Sequence, residues 1–196
     1  FSAELENQKQ LVLSLALDAA GDPHVQEAFA QRDRQGLLDL VSPSFTLLQE
    51  NRGNLVLFQF HLPDGTLFLN AIPSEPTDTV AVSSSPAVLL ATREQTTVAG
   101  LEADNGRLGI RGIAPVFYKG EYIGSVEFGT GLNENLLKSL KEKYGGEWQI
   151  LLANELASGA QADPGSPNPD LQTIATTQSV PIFNDTSSYG KALSGV

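Results

Sequence analysis

The sequence predicts an α+β fold in which helices come first and an antiparallel sheet follows. Residues 1–53 carry apolar side chains at helical spacing and contain two places where an Asp or Ser precedes a Pro, as at helix starts. Residues 55–71 and 108–129 each hold two β-branched and aromatic runs around a short connection that contains Gly. Because such a connection supplies the positive φ of a tight turn, each segment is predicted to be a β-hairpin.

The first helix is predicted over Phe1–Ala20. One stripe of this segment is apolar, formed by Leu5, Val12, Leu15 and Ala19. Further leucines widen the stripe beyond what one partner needs, so we expect the helix to continue upstream or to pair with a second chain. Asp22-Pro23 and Ser42-Pro43 each predict a new helix start, because the first residue can cap a helix and the Pro suits its first turn.

Asp64-Gly65 is the turn of the first predicted hairpin. A two-residue turn places one wholly apolar face toward the core, formed by Phe58, Phe60, Leu62, Leu67 and Leu69. The opposite face is mixed, formed by Leu57, Gln59, His61, Phe68 and Asn70. Such a mixture is typical of one wall of a binding pocket, and equally of a partly solvated outer face.

Lys119-Gly120 is the turn of the second predicted hairpin, which lies at the centre of the predicted sheet. Without a bulge, this turn places Tyr118 opposite Glu121 and Gly112 opposite Glu127. Both faces of the hairpin are mostly apolar or small, so we expect both to be covered. The two charges inside it are therefore the first place to look for function.

Arg111 and Glu127 are those two charges. In the unbulged register they lie on opposite faces, which argues against a simple ion pair. A bulge near Gly112 or Pro115 would reverse the parity and bring the two side chains to one face.

The remaining segments are read from caps, turn residues and short apolar runs. Residues 72–107 are predicted to be mainly irregular, with a helix within Pro86–Thr97, a strand near Thr96–Leu101 and a turn at Asn105-Gly106. Asn133 is predicted to cap a helix at Glu134–Tyr144. The C-terminal predictions are a strand at Trp148–Ala153, a Pro/Gly/Ser-rich loop at Ala157–Asp170, a strand near Thr176–Ile182 and a helix at Ser187–Leu193.

The composition excludes several classes of protein. With 23 acidic and 12 basic residues the net charge is −11, which repels a phosphate backbone, so nucleic acid is not an expected partner. The absence of Cys excludes disulfides and thiolate metal sites. The apolar runs are shorter than the roughly 18 residues that span a bilayer. A chain that starts at Phe1 and contains no Met is expected to be a piece of a longer protein.

Three blocks of sequence carry a family likeness: Ala28–Leu38, Phe60–Leu69 and Leu108–Phe128. Together, and in this order, they resemble the double Cache sensor domains of bacterial chemoreceptors and related histidine kinases, over roughly residues 1–150. Related sequences tend to carry Arg where this chain has Asn70.

The resemblance implies a Cache fold in three parts. Residues 1–53 would be signalling and dimerisation helices, 54–146 a membrane-distal PAS-like ligand-binding module, and 147–196 the start of a second, membrane-proximal module. It also implies a periplasmic or extracellular domain of an inner-membrane receptor. The full-length receptor would be a homodimer, anchored through segments outside these residues.

Glu127 is the sharpest site candidate. A carboxylate between Val126 and Phe128 in a central strand is costly to bury without a partner. In amino-acid-binding Cache modules the last strand holds an acidic residue that contacts the ligand amine, and the resemblance implies the same role here. The alternative is a structural carboxylate that pairs with a nearby Arg or backbone N–H.

Other candidates surround Glu127 in the predicted hairpins. Arg111 could hold a ligand carboxylate with its planar guanidinium. His61 is either a pH-sensitive ligand group or a polar residue at a strand end. The remaining predicted pocket residues, whose alternative is ordinary packing, are Phe68, Asn70, Phe117, Tyr118 and Ser125.

Three functions follow from these patterns. The first is a ligand-sensing domain for a small organic acid or amino-acid-like molecule, and the second is a module that binds a periplasmic protein partner. The third, an enzyme, is not expected, because Gly124-Ser125-Val126 lacks the Gly-x-Ser-x-Gly frame of a nucleophile turn. No metal or cofactor is expected, since the second His, His24, has no ligand partner at a suitable spacing.

Overall fold

The computed structural model describes residues 1–72, 81–104, 107–153 and 171–177. The helices are α1 (Ser2–Gly21), α2 (Pro23–Ala30), α3 (Arg34–Arg52), α4 (Pro86–Glu94) and α5 (Glu134–Tyr144). The strands are β1 (Leu55–His61), β2 (Leu67–Asn70), β3 (Val98–Asp104), β4 (Arg107–Tyr118), β5 (Glu121–Gly131), β6 (Gln149–Ala153) and β7 (Leu171–Thr176). The predicted α+β class is confirmed.

The chain divides into two compact units. The first comprises residues 1–102 and 109–131, and the second comprises residues 103–108 and 132–196. The first unit holds α1 to α4 and most of a five-stranded sheet in the order β2-β1-β5-β4-β3. The three-part division at residues 53 and 146 stays a prediction.

The N-terminal helices begin where capping chemistry allows. The Asp22 carboxylate accepts hydrogen bonds from the backbone N–H groups of His24 (2.8 Å) and Val25 (3.3 Å), so the predicted start of α2 is confirmed. The predicted start at Ser42-Pro43 is wrong, because α3 runs through both residues. The Ser42 hydroxyl donates to the Leu38 carbonyl one turn earlier instead of capping a new helix.

One face of the sheet, the helical face, packs against α1, α2 and α3. Its core is aromatic: the Phe58 and Phe128 rings stack at 4.0 Å and both contact Phe45 of α3. Helix α1 approaches β4 at Gly112, where a Cβ would lie 2.6 Å from the Val12 backbone. The lack of a side chain at Gly112 thus allows the helix to rest on the strand.

The second hairpin has a bulge, so the unbulged register predicted for it is wrong beyond its first two pairs. Tyr118 lies opposite Glu121 as predicted, but β5 gains one residue at Ile123 and Gly112 lies opposite Phe128. Gly124 follows the bulge with φ +140°, and a Cβ there would lie 2.2 Å from the His61 carbonyl oxygen. This backbone contact leaves room for Gly alone.

A long-range contact holds the bulge. The Arg32 guanidinium, just after α2, donates two hydrogen bonds of 3.2 Å to the Ile123 carbonyl. Partial burial lowers the pKa of Arg32 from its ordinary value, although the group stays charged at neutral pH. The bulge therefore depends on a residue about ninety positions away.

The first hairpin follows its predicted register only in part. Gln59 pairs with Asn70 and Phe60 with Leu69, as predicted, but the register shifts at His61. Phe68, predicted on the face of His61, instead packs its ring 5.3 Å from the Phe29 ring of α2. The shift thus turns Phe68 toward the helices.

In the second unit, α5 begins at the predicted cap. The Asn133 side chain accepts hydrogen bonds from the backbone N–H groups of Asn135 (3.1 Å) and Leu136 (3.2 Å). Strand β6 confirms the strand predicted near Trp148–Ala153 and pairs antiparallel with β7, which lies before most of the strand predicted at Thr176–Ile182. The rest of that strand, the loop Ala157–Asp170, the helix Ser187–Leu193 and the turn Asn105-Gly106 lie outside the described residues.

Candidate functional site

The second face of the central sheet, the polar face, carries the residues with chemistry. Because side chains alternate along a strand and paired residues share a face, β1, β4 and β5 direct one set of side chains to this side. The set comprises Gln59, His61, Arg111, Ile113, Ser125 and Glu127.

Helix α4 covers part of the polar face. Its Val88 and Ala91 pack against Ile113 in a small buried cluster. The Ser85 hydroxyl caps α4 at Val88 N–H (3.2 Å) and donates to the Glu102 carboxylate of β3 (2.9 Å). The helix is thereby fixed to the sheet at its N-terminus, close to the polar residues.

Glu127 lies at the centre of the polar face and is only 2% exposed. Its Oε2 lies 2.9 Å from Nε2 of His61, and its Oε1 lies 3.7 Å from Nη1 of Arg111. Since an ionised carboxylate can only accept, Nε2 of His61 donates this hydrogen bond. The bulge in β5 thus brings the side chains of Arg111 and Glu127 to one face of the sheet. This arrangement is the predicted alternative to the unbulged register.

Three hydroxyl groups lie beside this charged cluster. Burial raises the pKa of Tyr122, and the hydroxyls of Thr92 and Ser125 act in the opposite direction. All three hydroxyl oxygens are buried, and within the described part of the chain none makes a hydrogen bond of both good distance and good angle. Thr92 and Ser125 thus lie within hydrogen-bonding reach of the Tyr122 hydroxyl, without a well-aligned bond to it.

The predicted site residues separate into two groups. His61, Asn70, Arg111, Ser125 and Glu127 belong to the polar face; the Asn70 side chain, opposite Gln59, accepts a hydrogen bond of 3.2 Å from the backbone N–H of residue 72.

The aromatic candidates lie outside this polar group, although the register places Phe117 on the polar face, directly opposite Tyr122. Phe117 is 41% exposed near the tip of the second hairpin, where its ring contacts Tyr122 at 5.8 Å. The Lys119 ammonium lies over the Tyr118 ring, 4.9 Å from the ring centroid. Phe68 packs on the helical face, so the prediction that it shares a surface with His61 is wrong.

Two residues of the site were missed as candidates by the sequence analysis. In the unbulged register Tyr122 would lie on the face of the hairpin away from Glu127, and only the bulge at Ile123 brings its hydroxyl near Ser125. Thr92 gives no signal in the sequence, because its role depends on how α4 packs.

No group of three or more metal-ligating side chains occurs within the described ranges. Within the same ranges, no helix is both long and apolar enough to cross a membrane.

Comparison with known proteins gives the family. A family model described as the double sensory domain of two-component sensor kinases, a double Cache model, matches residues 1–186. The chain belongs to this family. The double Cache resemblance predicted from the three sequence blocks is thereby confirmed. A search of curated proteins for similar sequences finds no match.

Solved structures of other sensor and ligand-binding domains share the fold. They include a domain of a sensory box/GGDEF family protein from Vibrio parahaemolyticus (TM-score 0.59, 14% identity, 82% of this chain and 68% of that one). The DctB histidine kinase sensor domain of V. cholerae matches with a TM-score of 0.53 and 10% identity, over 72% of this chain and 55% of that one. The Campylobacter jejuni chemoreceptor Tlp3 ligand-binding domain, in complex with 4-methylisoleucine, matches with a TM-score of 0.54 and 13% identity, over 96% of this chain and 69% of that one. The chain thus spans about half to two thirds of these structures.

Proposed function

We propose that this chain is the ligand-sensing part of a transmembrane chemoreceptor or sensor kinase, and that it binds a small polar metabolite on the polar face. One observation carries the proposal. Five buried polar groups at this face, one of them on α4, make no well-aligned hydrogen bond among the described residues: His61 Nδ1, Thr92 Oγ1, Arg111 Nε, Tyr122 OH and Ser125 Oγ. Because each such group costs free energy, their concentration on one face indicates a missing polar partner.

The chemistry of these open groups indicates which ligand fits. Arg111 Nε and the three hydroxyls can donate hydrogen bonds, and a ligand carboxylate or hydroxyl oxygen would accept them. A ligand amine would instead compete with His61 for the Glu127 carboxylate, which already accepts at 2.9 Å. We therefore expect a carboxylate to contribute more to affinity than an amine. Tlp3, whose structures contain isoleucine or 4-methylisoleucine, supports a small carboxylate-bearing ligand for this fold.

The route of the signal belongs to the same proposal. Helix α1 rests directly on β4 at Gly112, next to Arg111, so a change at the polar face can be passed to the N-terminal helix. In the full receptor we expect α1 to pair with its counterpart in a homodimer and to lead toward a membrane anchor outside these residues. We expect a periplasmic or extracellular location and no catalytic activity.

A thermal-shift screen of organic acids, amino acids and amines tests the proposal. A compound present at about 100 times its Kd should add about 2.7 kcal/mol to the free energy of unfolding. Ser125→Val replaces one open hydroxyl of the proposed site by a methyl group and adds a second methyl, so it should abolish the shift, whereas Ser139→Val at an exposed position of α5 is the matched control. If no carboxylate or amine stabilises the protein, ligand sensing at this face is wrong.

A further inference from the structure

A cavity lies on the helical face, separate from the polar face. It is formed between α1, α2 and α3, above the central sheet, and has a volume of about 360 Å³. Its bottom is aromatic, because Phe45, Phe58 and Phe128 line it and are at most 3% exposed. We call it the helical groove. Its volume lies in the range of about 300 to 1,000 Å³ that is typical of small-molecule sites.

The rim of the helical groove is acidic. Asp18, in the last turn of α1, and Asp22, the residue after α1, both line it, and its described lining residues include no Lys, Arg or His. Asp22 is partly engaged as the cap of α2, whereas the exposed Asp18 makes no hydrogen bond or ion pair with the described residues. The rim therefore carries two negative charges without a cation of its own.

The end of α1 adds to this negative potential. The C-terminal end of a helix carries a partial negative charge, which a basic residue in the last turn usually compensates. The last turn of α1 contains Asp18 and no basic residue. A cation at this position would interact favourably with both the carboxylates and the helix end.

We propose that the helical groove binds a small organic cation with an apolar body, such as an arylalkylamine. The apolar body would occupy the aromatic bottom of the groove, and its ammonium would lie at the rim beside Asp18 and Asp22. The faces of the three Phe rings also attract cations. The groove has a volume of about 360 Å³, the size of a small molecule, and its bottom is formed by side chains that are almost fully buried, which favours a small molecule over a helix of a second copy. This site is independent of the polar face.

Three probes of matched shape test the proposal by calorimetric titration of the whole chain at neutral pH. They are 2-phenylethylamine, its neutral analogue 2-phenylethanol and its anionic analogue 3-phenylpropionate. We expect the amine to bind about fivefold more tightly than the alcohol, the scale of one partly exposed ion pair. The anion should bind more weakly than either.

Two variants and one control locate the binding. Asp18→Asn should remove most of the preference for the amine over the alcohol. Ser44→Phe, which adds a ring at an exposed position of the lining, should abolish binding of all probes while leaving the circular dichroism melt unchanged. Asp39→Asn makes the same charge change on α3 outside the lining and should alter nothing.

Three results would overturn the proposal. The first is equal affinity for the three probes, and the second is amine binding that survives Ser44→Phe. The third is the absence of any probe binding together with self-association, measured by sedimentation, that Ser44→Phe abolishes. That last result would identify the groove as a contact between copies of the chain.

Discussion

Replacing Glu127 by Gln tests whether this carboxylate is part of the scaffold. The substitution keeps the shape and an oxygen that can accept the hydrogen bond from His61, but it removes the charge facing Arg111 at 3.7 Å. At this separation, an effective dielectric constant of 20 gives an attraction of about 4.5 kcal/mol. Because the Arg111 side chain is 17% exposed and can be partly solvated, we expect a loss of about 3 kcal/mol of stability.

Urea denaturation followed by circular dichroism measures this loss. The midpoint should fall while the slope with denaturant stays constant, since the folded surface is unchanged. In a domain of this size the melting temperature should fall by about 6 to 12 °C. The control is Glu121→Gln, the same substitution at an exposed position of the same strand. It should change neither the urea midpoint nor the melting temperature.

A double-mutant cycle separates the pair from other effects. If Arg111 and Glu127 interact, Arg111→Gln combined with Glu127→Gln should cost at least about 1 kcal/mol less than the two single changes added together. A Glu127→Gln protein that melts like the wild type and has lost ligand affinity would refute this reasoning. It would show that Glu127 serves the ligand and contributes nothing to the scaffold.

Three further changes probe the bulge and the hydroxyl cluster. Gly124→Ala should cost more than 4 kcal/mol or prevent folding, because its Cβ would meet the His61 carbonyl at 2.2 Å; a near-native urea midpoint would contradict this. Arg32→Lys should cost about 1 kcal/mol, because Lys cannot make both hydrogen bonds to the Ile123 carbonyl; an unchanged midpoint would show that the clamp is dispensable. Because burial raises the pKa of Tyr122, its neutral hydroxyl contributes to the free energy of unfolding. This contribution is fully present below the ordinary pKa of 10.0 and is lost as the pH rises through the pKa of the folded state. Tyr122→Phe should lose less stability than the wild type between about pH 9 and 11, and equal losses would contradict the shift.

Local sequence signals determined where most elements begin and turn. Asp22-Pro23 and Asn133 cap helices as predicted, and Lys119-Gly120 forms the predicted turn. These predictions succeed because a cap or a two-residue turn is decided by atoms within a few positions of one another. Ser42-Pro43 is the exception, since the packing of its neighbours in α3 outweighs the same local signal.

The sequence also identified Arg111, Glu127 and His61 as the leading polar candidates of the two hairpins, but only the tertiary structure decided that they meet. One extra residue in β5 reverses the face of every side chain beyond it. That bulge is held by Arg32 and by the backbone contact of Gly124 with β1, which join parts of the chain far apart in sequence. Strand parity can be counted from the sequence, but the position of a bulge depends on packing that forms only when the distant segments come together.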